Sequence, residues 1–141
     1  MKLSGSFGLL PVAFALVLAG CGSSPDPAAE KACLVLASAE NGLNNALAAY
    51  VRDGMPEAGK SAMNKARADY PLIAGDAADV APSEMKVGLL EVQRSGQAFV
   101  DSEWSADAAP AFGDAKTAAL QACEDAGVDL RITNPRTGVV E

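Results

Sequence analysis

Four apolar stripes, each repeating at steps of three and four residues, constrain the fold of this chain more than any other feature. The first stripe consists of Leu36, Ala39, Leu43, Ala46 and Tyr50. The other three lie within residues 56–80, 82–100 and 107–127. Steps of three and four place side chains on one face of an α-helix. The sequence therefore predicts an all-α fold with four helices in residues 27–127.

Capping residues locate the ends of the first and last predicted helices. Asp26 is placed to cap helix 1, and Pro27 suits its first position. Gly54 follows the last turn of this helix, as glycine often does. We expect helix 4 to begin near Asp107 and to stop at Gly127.

The second and third helices carry residues that predict local departures from a regular helix. Pro71 lies inside helix 2, so we expect a kink or a break near Tyr70. Ser83 is expected to cap helix 3. Gly96 lies on the apolar stripe of helix 3, where it would allow another helix to approach closely.

Short linkers between the helices predict an antiparallel, up-down four-helix bundle. In that topology the start of helix 1 and the end of helix 4 lie at the same end. Cys33 and Cys123 are in those two places. Residues 128–141 lack helical periodicity, and we consider two structures for them. We expect a frayed C-terminal tail; the alternative is a segment that packs along the bundle or docks a partner.

The N-terminus has the parts of an export signal. Lys2 precedes an apolar run, 7–18, that is too short to span a bilayer. The following Leu18-Ala19-Gly20-Cys21 resembles the lipobox of bacterial lipoproteins. The resemblance implies cleavage of residues 1–20, a diacylglycerol on Cys21 and a tether over 21–26. The alternative is an ordinary secretory signal with a chance cysteine at this position.

Lipid attachment at Cys21 would leave two cysteines in an oxidising compartment. A disulfide between Cys33 and Cys123 is the expected result, and it would close the bundle between its first and last helices. Two free buried thiols are the alternative. The resemblance also implies a location at the extracytoplasmic face of the cell membrane. The remainder of the chain is similar to small Ala-rich lipoproteins of high-GC bacteria, for which no activity is assigned.

Charge and composition exclude several classes of chemistry. The chain has 11 Lys and Arg against 18 Asp and Glu, for a net charge of −7. Nucleic-acid binding needs clustered positive charge, so we expect no nucleic-acid partner. Histidine is absent from the sequence, which removes the usual base near neutral pH and the commonest transition-metal ligand. We expect no metal and no cofactor.

Two short motifs remain as candidate chemistry. Ser83 and Lys86 fit the S-x-x-K pattern of penicillin-recognising enzymes, but the S-D-N and K-T-G motifs are missing. Asp101, Glu103 and Asp107 surround Trp104, without the glycine and glutamate positions of a Ca²⁺ loop. We interpret these carboxylates as a solvated loop.

Trp104 is the only tryptophan, and its role depends on its exposure. If exposed, it is a candidate contact for a protein partner; if turned inward, as we expect, it closes the end of the bundle.

These observations predict a membrane-anchored, non-enzymatic scaffold or protein-interaction module with a partner in the envelope. A small-ligand or solute-binding lipoprotein is the alternative. It would require an apolar pocket above about 300 Å³, for which alanine packing leaves little room. An enzyme that uses carboxylates or Ser83 is a third class, and we do not expect it.

Overall fold

The computed structural model describes residues 24–140 and contains four helices in an up-down bundle. They are α1 (Pro27–Arg52), α2 (Glu57–Val80), α3 (Ser83–Asp101) and α4 (Ala109–Asp125). Each helix packs on the next, and α4 returns to α1. Within residues 24–140 the extended structure is limited to one isolated bridge, between Thr133 and Val140. The predicted all-α fold is confirmed.

The first helix begins and ends as the sequence predicts. The Asp26 carboxylate accepts hydrogen bonds from the backbone N–H groups of Ala28 and Ala29, at 2.8 and 3.2 Å. Such a cap stabilises a helix by about 1 kcal/mol. After Arg52 the chain turns through Gly54 at φ +78°, a conformation that glycine adopts without steric cost.

Of the kink or break expected near Tyr70, the break does not occur, because α2 runs as one helix through Pro71. An interior proline costs a helix about 3 kcal/mol. Tertiary packing offsets that cost, since Pro71 is fully buried against α3. A Cβ atom on Gly96 would lie 3.2 Å from the Cβ atom of Pro71. The close approach predicted at Gly96 is therefore confirmed, and the proline ring fills the space that the glycine leaves.

The predicted cap at Ser83 is wrong. Pro82 occupies the N-cap position with extended backbone, and no side chain caps the helix. Ser83 is the first helical residue, and its hydroxyl donates to the Glu84 carboxylate at 3.2 Å. The last helix begins at Ala109, just after the predicted Asp107. It stops before Gly127, which has φ +81°, as predicted.

The core consists of many small side chains and a few large ones, and a disulfide links its first and last helices. Fully buried alanines line the contacts between helices: Ala32, Ala74, Ala77 and Ala78. Leu36 and Leu89 supply the larger apolar volume. Cys33 in α1 and Cys123 in α4 form the predicted disulfide, with a Cα–Cα distance of 5.6 Å. Alanine at the seams brings the helices close together but buries little apolar area per residue.

The segment that follows α4 packs along α1, the second of the two structures considered for it. The side chain of Asn41 accepts from the Thr133 backbone N–H at 2.6 Å and donates to the Arg131 carbonyl at 3.2 Å. Asn44 donates to the Thr133 carbonyl at 2.7 Å. Val128 and Leu130 are buried in the core. Residues 128–134 therefore pack on the bundle, and the expected frayed tail is wrong for them, whereas residues 136–140 are exposed.

Candidate functional site

The path of the chain distinguishes the two ends of the bundle. Cys21, the predicted lipidation site, lies outside the described residues, but it precedes the start of α1 closely in sequence. The 26 residues of α1 extend about 39 Å from that start. The turns after α1 and after α3 lie together at the opposite end, which we call the far end. Trp104 is in the second of these turns.

An open cavity of about 270 Å³ lies in the half of the bundle next to the far end. Side chains from all four helices form its apolar walls: Leu43, Leu47, Met63, Phe99 and Phe112. We call it the apolar cavity. Its volume equals the share of about nine liquid water molecules, at about 30 Å³ each. It is somewhat smaller than the 300 Å³ at which small-molecule sites usually begin.

The polar groups of the apolar cavity are cationic or neutral. Asn44, Arg67 and Lys116 line it together with the apolar side chains. Among the residues that line it in the described part of the chain, neither aspartate nor glutamate occurs. The lining of this cavity is therefore positively charged, whereas the whole chain has a net charge of −7.

Arg67 is a partly buried cation without an acidic partner. Its guanidinium carbon lies 5.6 Å from the centre of the Trp104 ring, in a cation–π contact. Within residues 24–140 no carboxylate lies within 4.0 Å of this guanidinium, the limit for an ion pair. A cation–π contact is worth only about 0.5–1 kcal/mol at exposed sites. The N–H donors of Arg67 are thus available to an anion.

Lys116 differs from Arg67 because a buried carboxylate neutralises it. Its ammonium lies 2.8 Å from Oε2 of Glu40, and the Tyr70 hydroxyl donates to the same oxygen at 2.8 Å. The side chains of Glu40 and Lys116 are 11% and 18% exposed, and Tyr70 is fully buried. The lysine also lies over the rings of Tyr70 and Phe112. We call Glu40, Tyr70 and Lys116 the buried polar cluster; it links α1, α2 and α4.

The buried polar cluster satisfies its own hydrogen-bonding groups. Burial, followed by the nearby charge of Glu40 and its hydrogen bond, raises the pKa of Tyr70 far above the usual range. Tyr70 therefore stays protonated and acts as a donor, not as a base. Among residues 24–140, every buried side-chain nitrogen and oxygen has a hydrogen-bonding partner. The arrangement is that of a structural cross-link between helices.

A second, more polar depression lies beside the C-terminal segment. It has a volume of about 560 Å³ and is bounded by residues 128–135, with Glu40, Asn44 and Glu124 from the helices. Asn44 also lines the apolar cavity, so the two spaces adjoin at this residue. Its charged lining residues are three carboxylates, of Glu40, Glu124 and Asp129, and the guanidinium of Arg131. Glu40 is paired with Lys116 and Asp129 with Arg131.

Trp104 is neither free nor enclosed. Its ring contacts Phe99 edge-on, with 5.5 Å between the ring centres, and the side chain is half-buried. The backbone of Glu103 and Trp104 is left-handed, with φ of +53° and +69°. Such a conformation is uncommon for residues other than glycine. The structure thus places Trp104 between our two expectations, as a partial cover of the far end that still meets solvent.

The remaining sequence candidates do not converge on a site. Ser83 is exposed and bonded to Glu84, and Lys86 on the same helix is exposed. The carboxylates around Trp104 are also exposed. In the described part of the chain no group of three or more acidic, histidine or cysteine residues is placed to hold a metal ion. A search of residues 24–140 also finds no helix long and apolar enough to cross a bilayer.

Sequence reasoning did not identify Arg67 or the buried polar cluster. Glu40 gave a usable signal, because it follows Leu36 by one helical turn and so falls within the buried face of α1. A charged residue on a buried face needs an oppositely charged or hydrogen-bonding partner. Nothing in the sequence indicated that the partner would be Lys116, which is 76 residues away along the chain.

Comparison with known protein families, curated proteins and solved structures finds no match for this chain.

Proposed function

We propose that this protein is an envelope lipoprotein, anchored through Cys21 at the extracytoplasmic face of the cell membrane, whose helical bundle is a non-enzymatic module that binds an envelope partner. The disulfide between Cys33 and Cys123 is the observation that supports the extracytoplasmic location in this proposal. Disulfides persist in oxidising compartments and are rare in the cytosol. The bond therefore supports export, which the lipobox resemblance also predicts.

The position of the anchor sets the direction in which the bundle would point. A tether of six residues, 21–26, reaches at most about 20 Å when fully extended. The start of α1 would then lie close to the membrane, and the far end would project about 39 Å further out. Two or more acyl chains hold such a protein stably on a bilayer. The far end, with Trp104 and the apolar cavity, is then the part most accessible to a partner.

The groups described above favour binding over catalysis. Ser83, the one serine in a nucleophile-like motif, is exposed and hydrogen-bonded to a carboxylate. Nucleophilic catalysis needs an adjacent base to activate such a hydroxyl. The buried polar cluster is occupied by its own contacts. The apolar cavity favours a second candidate function, small-ligand binding, because it combines apolar walls with a cation that has no acidic partner.

Site-specific photo-cross-linking in intact cells tests the protein-binding proposal. A photoreactive amino acid replaces Val51 near the far end, or Val87 near the opposite end of α3. These two valines are 58% and 74% exposed, so both can reach a partner. We expect a reproducible adduct from position 51, and little or none from position 87.

The control is a chain that ends after the tether and carries the same lipid. Adducts that also form with this anchor-only chain reflect crowding at the membrane. If neither position yields an adduct above that background, or if both positions yield the same adducts, recognition at the far end is contradicted.

A further inference from the structure

We infer that the apolar cavity binds a small organic anion, whose apolar body enters between the helices and whose charged group is bound by Arg67. The inference rests on the second candidate function, small-ligand binding, and names the class of ligand; it does not depend on the lipid anchor or on a protein partner. It rests on the walls of the cavity, on the charges around it and on a glycine that keeps it open.

The walls define the apolar part of the ligand. Phe99 and Phe112 stack with 5.7 Å between their ring centres, and Leu43, Leu47 and Met63 line the rest. Ligand sites are typically apolar with a few placed polar groups. A volume of about 270 Å³ suits a body of about ten non-hydrogen atoms. A larger ligand would extend past the opening into solvent.

The charges define the polar part of the ligand. Lys116 is neutralised by Glu40 at 2.8 Å, which leaves Arg67 as the cation of the cavity without an acidic partner. Arginine presents a planar set of donors that matches a carboxylate or phosphate. The negative net charge of the protein opposes anions at long range, but salt at physiological concentration screens charges beyond about 8 Å. Contact with Arg67 therefore dominates at the site.

Gly113 leaves the cavity open from the side of α4. This glycine lies inside a helix, where glycine makes the helix less stable than alanine would. It lines the apolar cavity, and a Cβ atom built on it would meet no atom within 4 Å. A side chain could therefore be accommodated, but it would occupy the space that a ligand would use. Gly88 on α3 also has open space around it, yet it is exposed and lines none of the cavities described above.

Titration with octanoate and octanamide tests the inference. The two probes have the same chain length and differ in charge. The protein is the mature chain, residues 21–141, with Cys21→Ser; it carries neither the acyl chains nor the apolar export signal and therefore needs no detergent. Trp104, the only tryptophan, contacts both Arg67 and Phe99, so its fluorescence reports on the cavity. Calorimetry provides a second readout that is independent of the tryptophan.

We expect saturable octanoate binding with a dissociation constant of about 1 mM or lower. Octanamide should bind about tenfold more weakly, because its neutral amide cannot form an ion pair with Arg67. Arg67→Met should reduce octanoate affinity by a similar factor, whereas Arg67→Lys should recover part of it. Arg52→Met removes an exposed arginine elsewhere and should leave affinity unchanged.

Filling the cavity provides the spatial test. Gly113→Leu should abolish octanoate binding, and the matched Gly88→Leu should retain it. Circular dichroism checks that both variants are folded. If Gly113→Leu does not fold, the Arg67 variants still decide the inference.

Four titration results would each overturn it. They are the absence of saturable octanoate binding, equal affinity for octanamide, undiminished octanoate binding to Arg67→Met, and undiminished binding to folded Gly113→Leu. A cross-linked adduct at position 51 that disappears in Gly113→Leu, with no octanoate binding, would also overturn it, because the cavity would then hold a side chain of a partner. A chain that lacks acylation at Cys21 would contradict the anchor and leave this titration unaffected.

Discussion

Replacing Glu40 with leucine should be among the most destabilising substitutions in this bundle. One oxygen of its carboxylate accepts hydrogen bonds from both Tyr70 and Lys116 at 2.8 Å. Its removal leaves a buried hydroxyl and a largely buried ammonium without an acceptor. An uncompensated buried charge costs about 3–5 kcal/mol, and an orphaned polar group costs about 1–3 kcal/mol. These costs do not simply add, because the three groups share one network.

Partial exposure reduces the expected loss. Lys116 is 18% exposed and can recover some hydration by shifting toward the apolar cavity. We therefore expect Glu40→Leu to lower the free energy of unfolding by about 3–4 kcal/mol. A domain of this size has a total stability of about 5–15 kcal/mol. The single substitution would remove a large fraction of it.

Removing all three polar groups together should restore most of the stability. The triple variant Glu40→Leu, Tyr70→Phe and Lys116→Met replaces the buried polar cluster with apolar side chains of similar size. Such replacements are often neutral or stabilising, because no group remains to be desolvated. We expect the triple variant to be within about 1 kcal/mol of the parent protein.

Urea unfolding, followed by circular dichroism, measures these differences at constant slope. Lys65→Met breaks the exposed ion pair with Asp69 and serves as the control, with an expected loss below about 1 kcal/mol. The reasoning is refuted if Glu40→Leu costs less than about 1 kcal/mol, or if the triple variant is as unstable as the single one.

Three further predictions concern the disulfide, Tyr70 and the glycines. The disulfide joins residues 90 positions apart and so restricts the unfolded chain. Its reduction should lower the free energy of unfolding by about 4.5 kcal/mol in urea titrations. A loss below about 1 kcal/mol would contradict this loop-entropy value. Because the pKa of Tyr70 is raised, only the unfolded state loses this proton above about pH 10, so stability should fall with pH by up to about 1.4 kcal/mol per pH unit. Tyr70→Phe should lack that alkaline slope when unfolding is compared at about pH 9 and pH 11, and an unchanged slope would refute the assignment. Gly96→Ala would place a methyl group 2.9 Å from a ring carbon of Phe112, and it should lower the free energy of unfolding by about 1–3 kcal/mol in the same assay. Gly88→Ala, where the methyl group meets open space, should raise it by up to about 1 kcal/mol. Equal effects of the two substitutions would contradict the close contact between Gly96 and Phe112.

Periodic patterns predicted most of the fold because each helix buries one stripe. The cap at Asp26, the glycine after α1 and the position of both core cysteines were predictable from local rules. The continuity of α2 through Pro71 was not predictable, because packing of this proline against Gly96 on another helix overrides its local preference. Ser83 illustrates the same limit on a smaller scale. The extended backbone of Pro82 moved the start of α3 by one position and took the hydroxyl out of capping geometry.

The candidate site was harder to predict because it depends on contacts distant in sequence. Arg67 gains its role only when α2 places it beside Trp104 and leaves it without a carboxylate. The C-terminal segment lacks periodicity, yet Asn41 and Asn44 on α1 bind its backbone. Asparagines on a helix carry no sequence signal for a partner about 90 residues later. Only the assembled bundle identifies the apolar cavity.

Intact-mass and peptide mass spectrometry of the protein isolated from its native envelope tests the central proposal most directly. The account predicts a chain that begins at residue 21, with diacylglycerol on the Cys21 sulfur and Cys33 joined to Cys123. An unmodified Cys21, or a product that retains residues 1–20, would contradict it.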